Sequence, residues 1–322
     1  MDFSVIIPTI PKDFIRVKRD IGLMLKYLGA KKIIFIGPES LRELVISEAE
    51  SCSLGDKVSF LEENTVLSFD SVKTAIQKRI AEDGYVLAEN SRPGWYYQQF
   101  LKMAYSVICE DEYYMSWDAD TLPLRDISMF DENGKPYFDV KSEYIPGYFN
   151  TIKRLFGFNK LYEKSFISEH MIFKTEYMRQ MISEMEMLPF KGERFFEKIF
   201  YAQPSENMYR GFSEFETYGT WCLVRHPEHY SFRDWKSLRG GGFMMDPLQI
   251  REDDLRWLGE SYDAVTFESY NQVIPELQTL FCEQEYRSTV TAEEFYNIIL
   301  NSGLLGDAGA GGVVSGDSIL PV

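Results

Sequence analysis

Apolar positions in the first third of the chain alternate between two rhythms. Val5-Ile6-Ile7 is a short unbroken run stopped by Pro8, and Lys32 to Ile36 (KIIFI) is a second, ended by Gly37-Pro38. Val58-Ser59-Phe60-Leu61 reads as a third strand. Between the first two, the spacing becomes helical: Phe14, Val17, Ile21, Met24, Leu25 and Leu28 share one face, which stops at Gly29. Ser40-Leu41-Arg42-Glu43 fits a capping box at a helix start, and residues 71–81 form a polar helix. Over 96–109 the spacing predicts a helix with Tyr97, Leu101, Ala104 and Ile108 inward, and Gln98, Gln99, Lys102 and Ser106 outward. Tyr113 to Trp117 (YYMSW) is the next strand. Short apolar runs separated by helical segments predict an α/β fold with a mostly parallel, Rossmann-like sheet flanked by helices.

Further along, Met129-Phe130 and Tyr137-Phe138 around Asn133-Gly134 suggest a hairpin. The middle of the chain is helical and rich in aromatics, with helices expected over 175–187, 193–201 and 213–223. Arg239-Gly240-Gly241-Gly242 reads as a flexible loop, and the tail from Gly303 as low-complexity and frayed.

Charge and composition narrow the function. The 34 basic and 50 acidic side chains give a formal net charge of −16 over 322 residues. Such a surface disfavours nucleic-acid grooves and polybasic membrane anchors, and an anionic substrate would need a focused basic or metal-loaded site. No apolar run approaches the roughly 18–20 residues of a membrane helix. Met1-Asp2-Phe3-Ser4 lacks the basic start of a signal peptide. A cytoplasmic protein is expected, with at most peripheral membrane contact. Cys52, Cys109, Cys222 and Cys282 lie far apart among apolar neighbours, as free buried thiols would.

The principal chemical motif is Asp118-Ala119-Asp120, immediately after the YYMSW strand. Ligands of open α/β sheets collect at the carboxyl ends of strands. Two carboxylates at i and i+2 can share one Mn²⁺ or Mg²⁺, which attracts a diphosphate that bare carboxylates would repel. A polar turn whose aspartates accept backbone N–H bonds has the same pattern.

The opening Ser4-Val-Ile-Ile-Pro8-Thr9 with Lys12-Asp13, the strand-borne Asp118-Ala119-Asp120, and Gly94-Trp95-Tyr-Tyr-Gln98-Gln99-Phe-Leu-Lys102 resemble GT-A-fold glycosyltransferases. The last of these segments is similar to a bacterial capsule and surface-polysaccharide subgroup. The resemblance covers roughly the first 150 residues. It implies a nucleotide-sugar-binding half over 1–150, a helical, aromatic acceptor-side half over 151–290, and a C-terminal helix and tail over 291–322. It also implies a nucleotide-diphosphate sugar donor, a glycan or lipid-linked acceptor, and Pro8, Thr9, Gln98, Gln99 and Lys102 beside the donor. Amides can read a base or sugar edge and a lysine can meet phosphate, although a solvated helix face would carry the same residues. Trp95 can stack on a sugar or pack in the core.

In inverting members of that family, an acid at a helix start takes the acceptor proton. Here that points to Ser213-Glu214-Phe215-Glu216: Glu214 is the expected base, while Ser213 and Glu216 fit a capping box. The resemblance further implies a metal ligand from the second half, for which His226 is the candidate. His170 can enter the cleft from a strand end, and Arg233, Lys236 and Arg239 around Trp235 can form a lid. For each histidine a structural hydrogen-bonding role fits as well.

Two other readings compete. Asp118-Ala119-Asp120-Thr121-Leu122 also matches the haloacid-dehalogenase-type phosphatase motif, with Asp118 as nucleophile and a later acidic pair such as Asp253-Asp254. That family places the motif on its first strand, whereas three strand–helix units precede it here. A non-catalytic carbohydrate-binding protein would use the 15% aromatic content for stacking but leaves the aspartate pair without a role.

Overall fold

A computed structural model describes residues 1–82, 92–204, 208 and 210–305. Five strands form the central sheet: β1 (Ser4–Pro8), β2 (Lys32–Gly37), β3 (Val58–Glu62), β4 (Tyr113–Trp117) and β7 (His170–Lys174), in the order β3-β2-β1-β4-β7. The first four run parallel, and β7 returns antiparallel against β4, pairing His170 with Trp117. The chain moves outward from β1 through β2 to β3, then crosses back to place β4 on the other side of β1. The carboxyl ends of β1 and β4 therefore flank a topological switch point, where ligands of such sheets bind. The largely apolar character of β1 and β2 follows from helices covering both faces.

Those helices are α1 (Pro11–Val17), α2 (Ile21–Leu28), α3 (Arg42–Ser51), α4 (Glu63–Val66), α5 (Phe69–Glu82) and α6 (Pro93–Ala104). The second half adds α7 (Pro146–Phe156), α8 (Thr175–Glu186), α9 (Phe195–Ala202), α10 (Glu214–Arg225), α11 (Gly241–Met244) and α12 (Glu252–Gly259). The helices α13 (Pro275–Cys282), α14 (Gln284–Arg287) and α15 (Ala292–Ser302) follow. Short strands knit the halves together. β5 (Thr121–Pro123) pairs with β10 (Ala264–Thr266), which pairs with β9 (Ser237–Leu238); β6 (Tyr137–Val140) lies beside β8 (Ser231–Asp234).

The α/β class and the first four strands agree with the hydrophobic pattern; several details do not. The helix starting at Arg42 has no side-chain cap: Glu39–Leu41 form a 3-10 turn after Pro38, and Glu39 pairs with Arg42. Helix α6 is buried on nearly every side, so Gln99, Lys102 and Ser106 lie inside and Ile108 is exposed. The triple glycine is a packed elbow. A Cβ on Gly241 would stand 2.6 Å from the Val265 side chain and 2.8 Å from the Thr266 carbonyl, so only glycine fits. The hairpin near Asn133 shrinks to one bridge, Phe130 with Pro136, while Tyr137–Val140 takes β8 as its partner. All four cysteines are free, but Cys52 and Cys282 are exposed. The tail beyond residue 305 lies outside the described residues. Among the described residues, no helix is long and apolar enough to cross a membrane.

Candidate active site at the switch point

Strand β4 delivers Asp118 to the carboxyl edge of the sheet, and two main-chain bonds hold the motif there. The Asp118 N–H donates to the Glu169 carbonyl (2.9 Å), and the Asp120 carbonyl accepts from the Phe267 N–H (2.8 Å). Continuing the β1–β4 register brings Pro8 level with Asp118. Thr9 follows, buried, its N–H donating to the Ile36 carbonyl. Pro8, Thr9 and the half-buried Asp118, Ala119 and Asp120 therefore share one edge.

Behind them stands Lys102, its side chain only 3% exposed. Its Nζ donates to Asp118 Oδ1 at 2.7 Å and to Glu214 Oε1 at 2.8 Å, and sits 4.4 Å from the Phe215 ring centroid. Burial alone would lower the lysine pKa; Asp118 and Glu214 outweigh it and raise it above the usual value. From the same helix, Gln99 accepts the Glu214 N–H at 3.2 Å, satisfying one free donor at the start of α10. Helix α6 thus grips the first residue of α10 twice. Gln98 and Trp95 are half-buried near the start of α6, with Trp95 packed edge-on against Tyr96.

The two glutamates of the motif have different partners from those expected. Ser213 caps α10 by accepting the Glu216 N–H at 3.3 Å. The Glu216 carboxylate does not return to the cap. Its Oε1 accepts from Ser165 Oγ and from the Phe166 N–H, and its Oε2 is buried without a partner. Burial pushes the Glu216 pKa up to about 7, with Ser165 and Lys160 opposing. Burial also raises that of Glu214, against the pull of Lys102.

Asp120 is lifted to about 7 by burial and by the nearby charges of Asp118 and Glu268. Such an excess of carboxylate suits a divalent cation. Among the described residues, no group of three His, Cys, Asp or Glu side chains converges on one point. As a donor set, the two oxygen-bearing side chains of Asp118 and Asp120 suit a hard cation such as Mg²⁺ or Mn²⁺.

His226 is not part of this site. It follows α10, whose 12 residues carry it about 18 Å from Glu214 at 1.5 Å per residue. There it stacks on Tyr177 at 3.5 Å and bonds to Gln180. A cavity of about 320 Å³ at that end, lined by Phe138, Cys222, His226, Tyr230 and Phe232, contains none of the clustered carboxylates. His170 is buried rather than open to the cleft: its Nε2 bonds to Asp139 and its Nδ1 to the Ser168 carbonyl, both at 2.8 Å. Of the three basic residues expected as a lid, Arg233 and Arg239 are both tied to buried carboxylates, and Lys236 is exposed. Arg233 pairs with Asp139, while Arg239 is held by Glu143 (3.1 Å), Glu169 (3.4 Å) and Glu268 (2.9 Å). Glu143, Glu169 and Glu268 were not singled out in the sequence, where nothing separates them from surface acids. Asp254 is buried in α12 against Arg251 and Arg287, and Asp253 pairs with Arg256, so the partners of the Asp253-Asp254 pair that the phosphatase reading would use are arginines of its own region.

No protein-family model matches the chain, and no curated protein matches it. Solved structures similar to it include mouse xyloside xylosyltransferase 1, at 15% identity and a TM-score of 0.47 over 85% of this chain and all of that one. The galactosyltransferase LgtC, solved with donor and acceptor sugar analogues, is similar at 10% identity and a TM-score of 0.40, over 89% of this chain and all of that one. The glycosyltransferase GlyE of Streptococcus pneumoniae is similar at 9% identity and a TM-score of 0.39; 94% of this chain spans 64% of that one.

Proposed function

We propose that this chain is a glycosyltransferase, moving a sugar from a nucleotide-diphosphate donor to a hydroxyl of a glycan or lipid-linked glycan. The observation that carries this reading is the juxtaposition of Asp118, Asp120, Lys102 and Glu214 at the switch point. Phosphate-bearing ligands bind there in open α/β sheets, and four charged groups in contact or near contact are placed there at a cost that packing alone does not explain. Asp118 and Asp120 are the residues that would hold Mn²⁺ or Mg²⁺; when bound, the cation offsets charge on the diphosphate leaving group. Pro8 and Thr9 at that edge, and Gln98 from α6, are the residues assigned to the donor.

Lys102 supplies the counter-charge to both Asp118 and Glu214. A carboxylate at the first turn of α10 then accepts the proton of the attacking hydroxyl, the role assigned to Glu214 for an inverting transfer. The surface-polysaccharide setting rests on the likeness of the Gly94–Lys102 segment to that subgroup.

The test is nucleoside-diphosphate release from a panel of nucleotide sugars with Mn²⁺. Asp118→Asn and Glu214→Gln should each lower it by about 10²-fold or more while far-UV circular dichroism stays native. Phosphate release from simple phosphomonoesters, with no turnover of any nucleotide sugar, would replace this reading with the phosphatase one.

A further inference from the structure

Glu169 has a left-handed backbone, with φ at 63°. Three other non-glycine residues among those described share the sign, Ser53, Arg92 and Glu228, and none of them is buried. A buried glutamate is an unlikely occupant of that region, which glycine or asparagine enters at far less strain. Its side chain explains how it stays there. Oε1 accepts from Lys141 Nζ at 2.8 Å, and Oε2 accepts from Trp235 Nε1 at 2.9 Å and Ser237 Oγ at 2.8 Å. Arg239 Nε adds an ion pair at 3.4 Å. Four groups from other segments thus hold one carboxylate, and Lys141 with Arg239 keeps it ionised against the pull of burial.

What the strained backbone does is visible on its other side. The Glu169 carbonyl accepts the Asp118 N–H, and the next residue, His170, begins the antiparallel pairing with Trp117. Asp118 is therefore fixed at both ends: its main chain by Glu169, its carboxylate by Lys102. Strain of this kind persists only where surrounding contacts over-determine it, and it collects beside functional groups.

We infer that Glu169 is a positioning residue for Asp118: its caged carboxylate locks its own backbone left-handed, and the carbonyl so oriented sets the main chain of the Asp118-Ala119-Asp120 turn. The part of this that concerns ligand binding rests on the glycosyltransferase reading; the positioning itself does not.

The experiment compares Glu169→Ala, Glu169→Gly and Glu169→Gln. Glycine holds a φ of 63° without a cage, alanine relaxes toward ordinary backbone, and glutamine preserves the shape and most of the hydrogen bonds. Amide hydrogen exchange at Asp118, read by NMR against the amides of β4, needs no ligand. It should accelerate tenfold or more in Glu169→Ala, less than threefold in Glu169→Gln, and to an intermediate degree in Glu169→Gly. Loss of affinity for Mn²⁺ with a nucleoside diphosphate should follow the same order, largest in Glu169→Ala and smallest in Glu169→Gln. Equal exchange at Asp118 in all three variants would overturn the assignment, as would Ala and Gly variants that are indistinguishable. A wild-type protein that binds no nucleoside diphosphate, yet shows the predicted exchange order, would sink the glycosyltransferase reading and leave the positioning role standing.

Discussion

Two clusters of opposite charge meet near the Asp118 turn, and they are built differently. At Lys102 one compact ammonium, 3% exposed, faces two carboxylates that meet at a single point. At Arg239 one guanidinium, 37% exposed, spreads its fork over Glu143, Glu169 and Glu268, while Lys141 helps at Glu169. A lysine suits the first because three donors on one atom can serve acceptors that converge. An arginine suits the second because its planar fork reaches acceptors delivered by separate segments. The ammonium of the first cluster is sealed from water and the guanidinium of the second is partly screened by it, so removing the cation should expose very different costs.

The largest effect is expected from Lys102→Met, which strands the buried Glu214 carboxylate and the half-buried Asp118 without their cation. Breaking a buried ion pair typically costs about 3–5 kcal/mol, and urea unfolding should show a loss of that order. Arg239→Met should cost less, about 1–2 kcal/mol, because water reaches the guanidinium and Lys141 still serves Glu169. If the two substitutions proved equally costly, burial would not be what separates the clusters.

Glu216 offers a third point on the scale: a buried carboxyl with no cation bonded to it. Its folded pKa of about 7 stands above the ordinary 4.5, so the folded state binds the extra proton between those values. The contribution is fully present below pH 4.5 and is lost as pH rises through 7. Glu216→Gln, which cannot ionise, should therefore gain on the wild type by about 2–3 kcal/mol between pH 4.5 and pH 8. Melting curves across that range check it, and a constant difference between the two proteins would refute it. The smallest effect is expected at the far end of α10. His226→Ala should cost about 0.5–1.5 kcal/mol through the lost stack on Tyr177 and leave Mn²⁺ dependence unchanged. A lost metal response would return His226 to the site.

The Asp118 turn was legible because an apolar run ended in charge, and a buried strand has to stop where its carboxylates begin. Strands β1 and β2 were legible because their apolar runs end at Pro8 and at Gly37-Pro38. Lys102 was assigned to the right segment but the wrong environment. Periodicity assumes a helix with one wet face, and α6 is packed on one side by apolar residues and on the other by the polar site. Its Gln99 and Lys102 are buried because they have partners 115 and 112 residues away, which no local pattern encodes. Strands β9 and β10 were missed because two or three residues are too few to show alternation. The capping box at Ser213 was half right: the serine caps, but the glutamate finds Ser165, a partner set by the tertiary fold. Glu169 left no trace in the sequence because its role lies in one dihedral angle.

The spacing of the Lys102 contacts also bears on how the molecule is made. Asp118 lies 16 residues from Lys102 and Glu214 lies 112 residues from it. At synthesis rates of about 5–20 residues per second, the second carboxylate leaves the ribosome roughly 6–22 s after the lysine. For that interval the nascent chain lacks one carboxylate of its charge cluster, and for the earlier part of it also lacks β7, the strand that covers the open edge of β4. The long loop between Lys102 and Glu214 must close before the buried lysine has both counter-charges, a step that high contact order makes slow. Substrate-competent protein is thus expected only when the whole chain has docked, so ligand binding would report complete folding and not the formation of the N-terminal sheet alone.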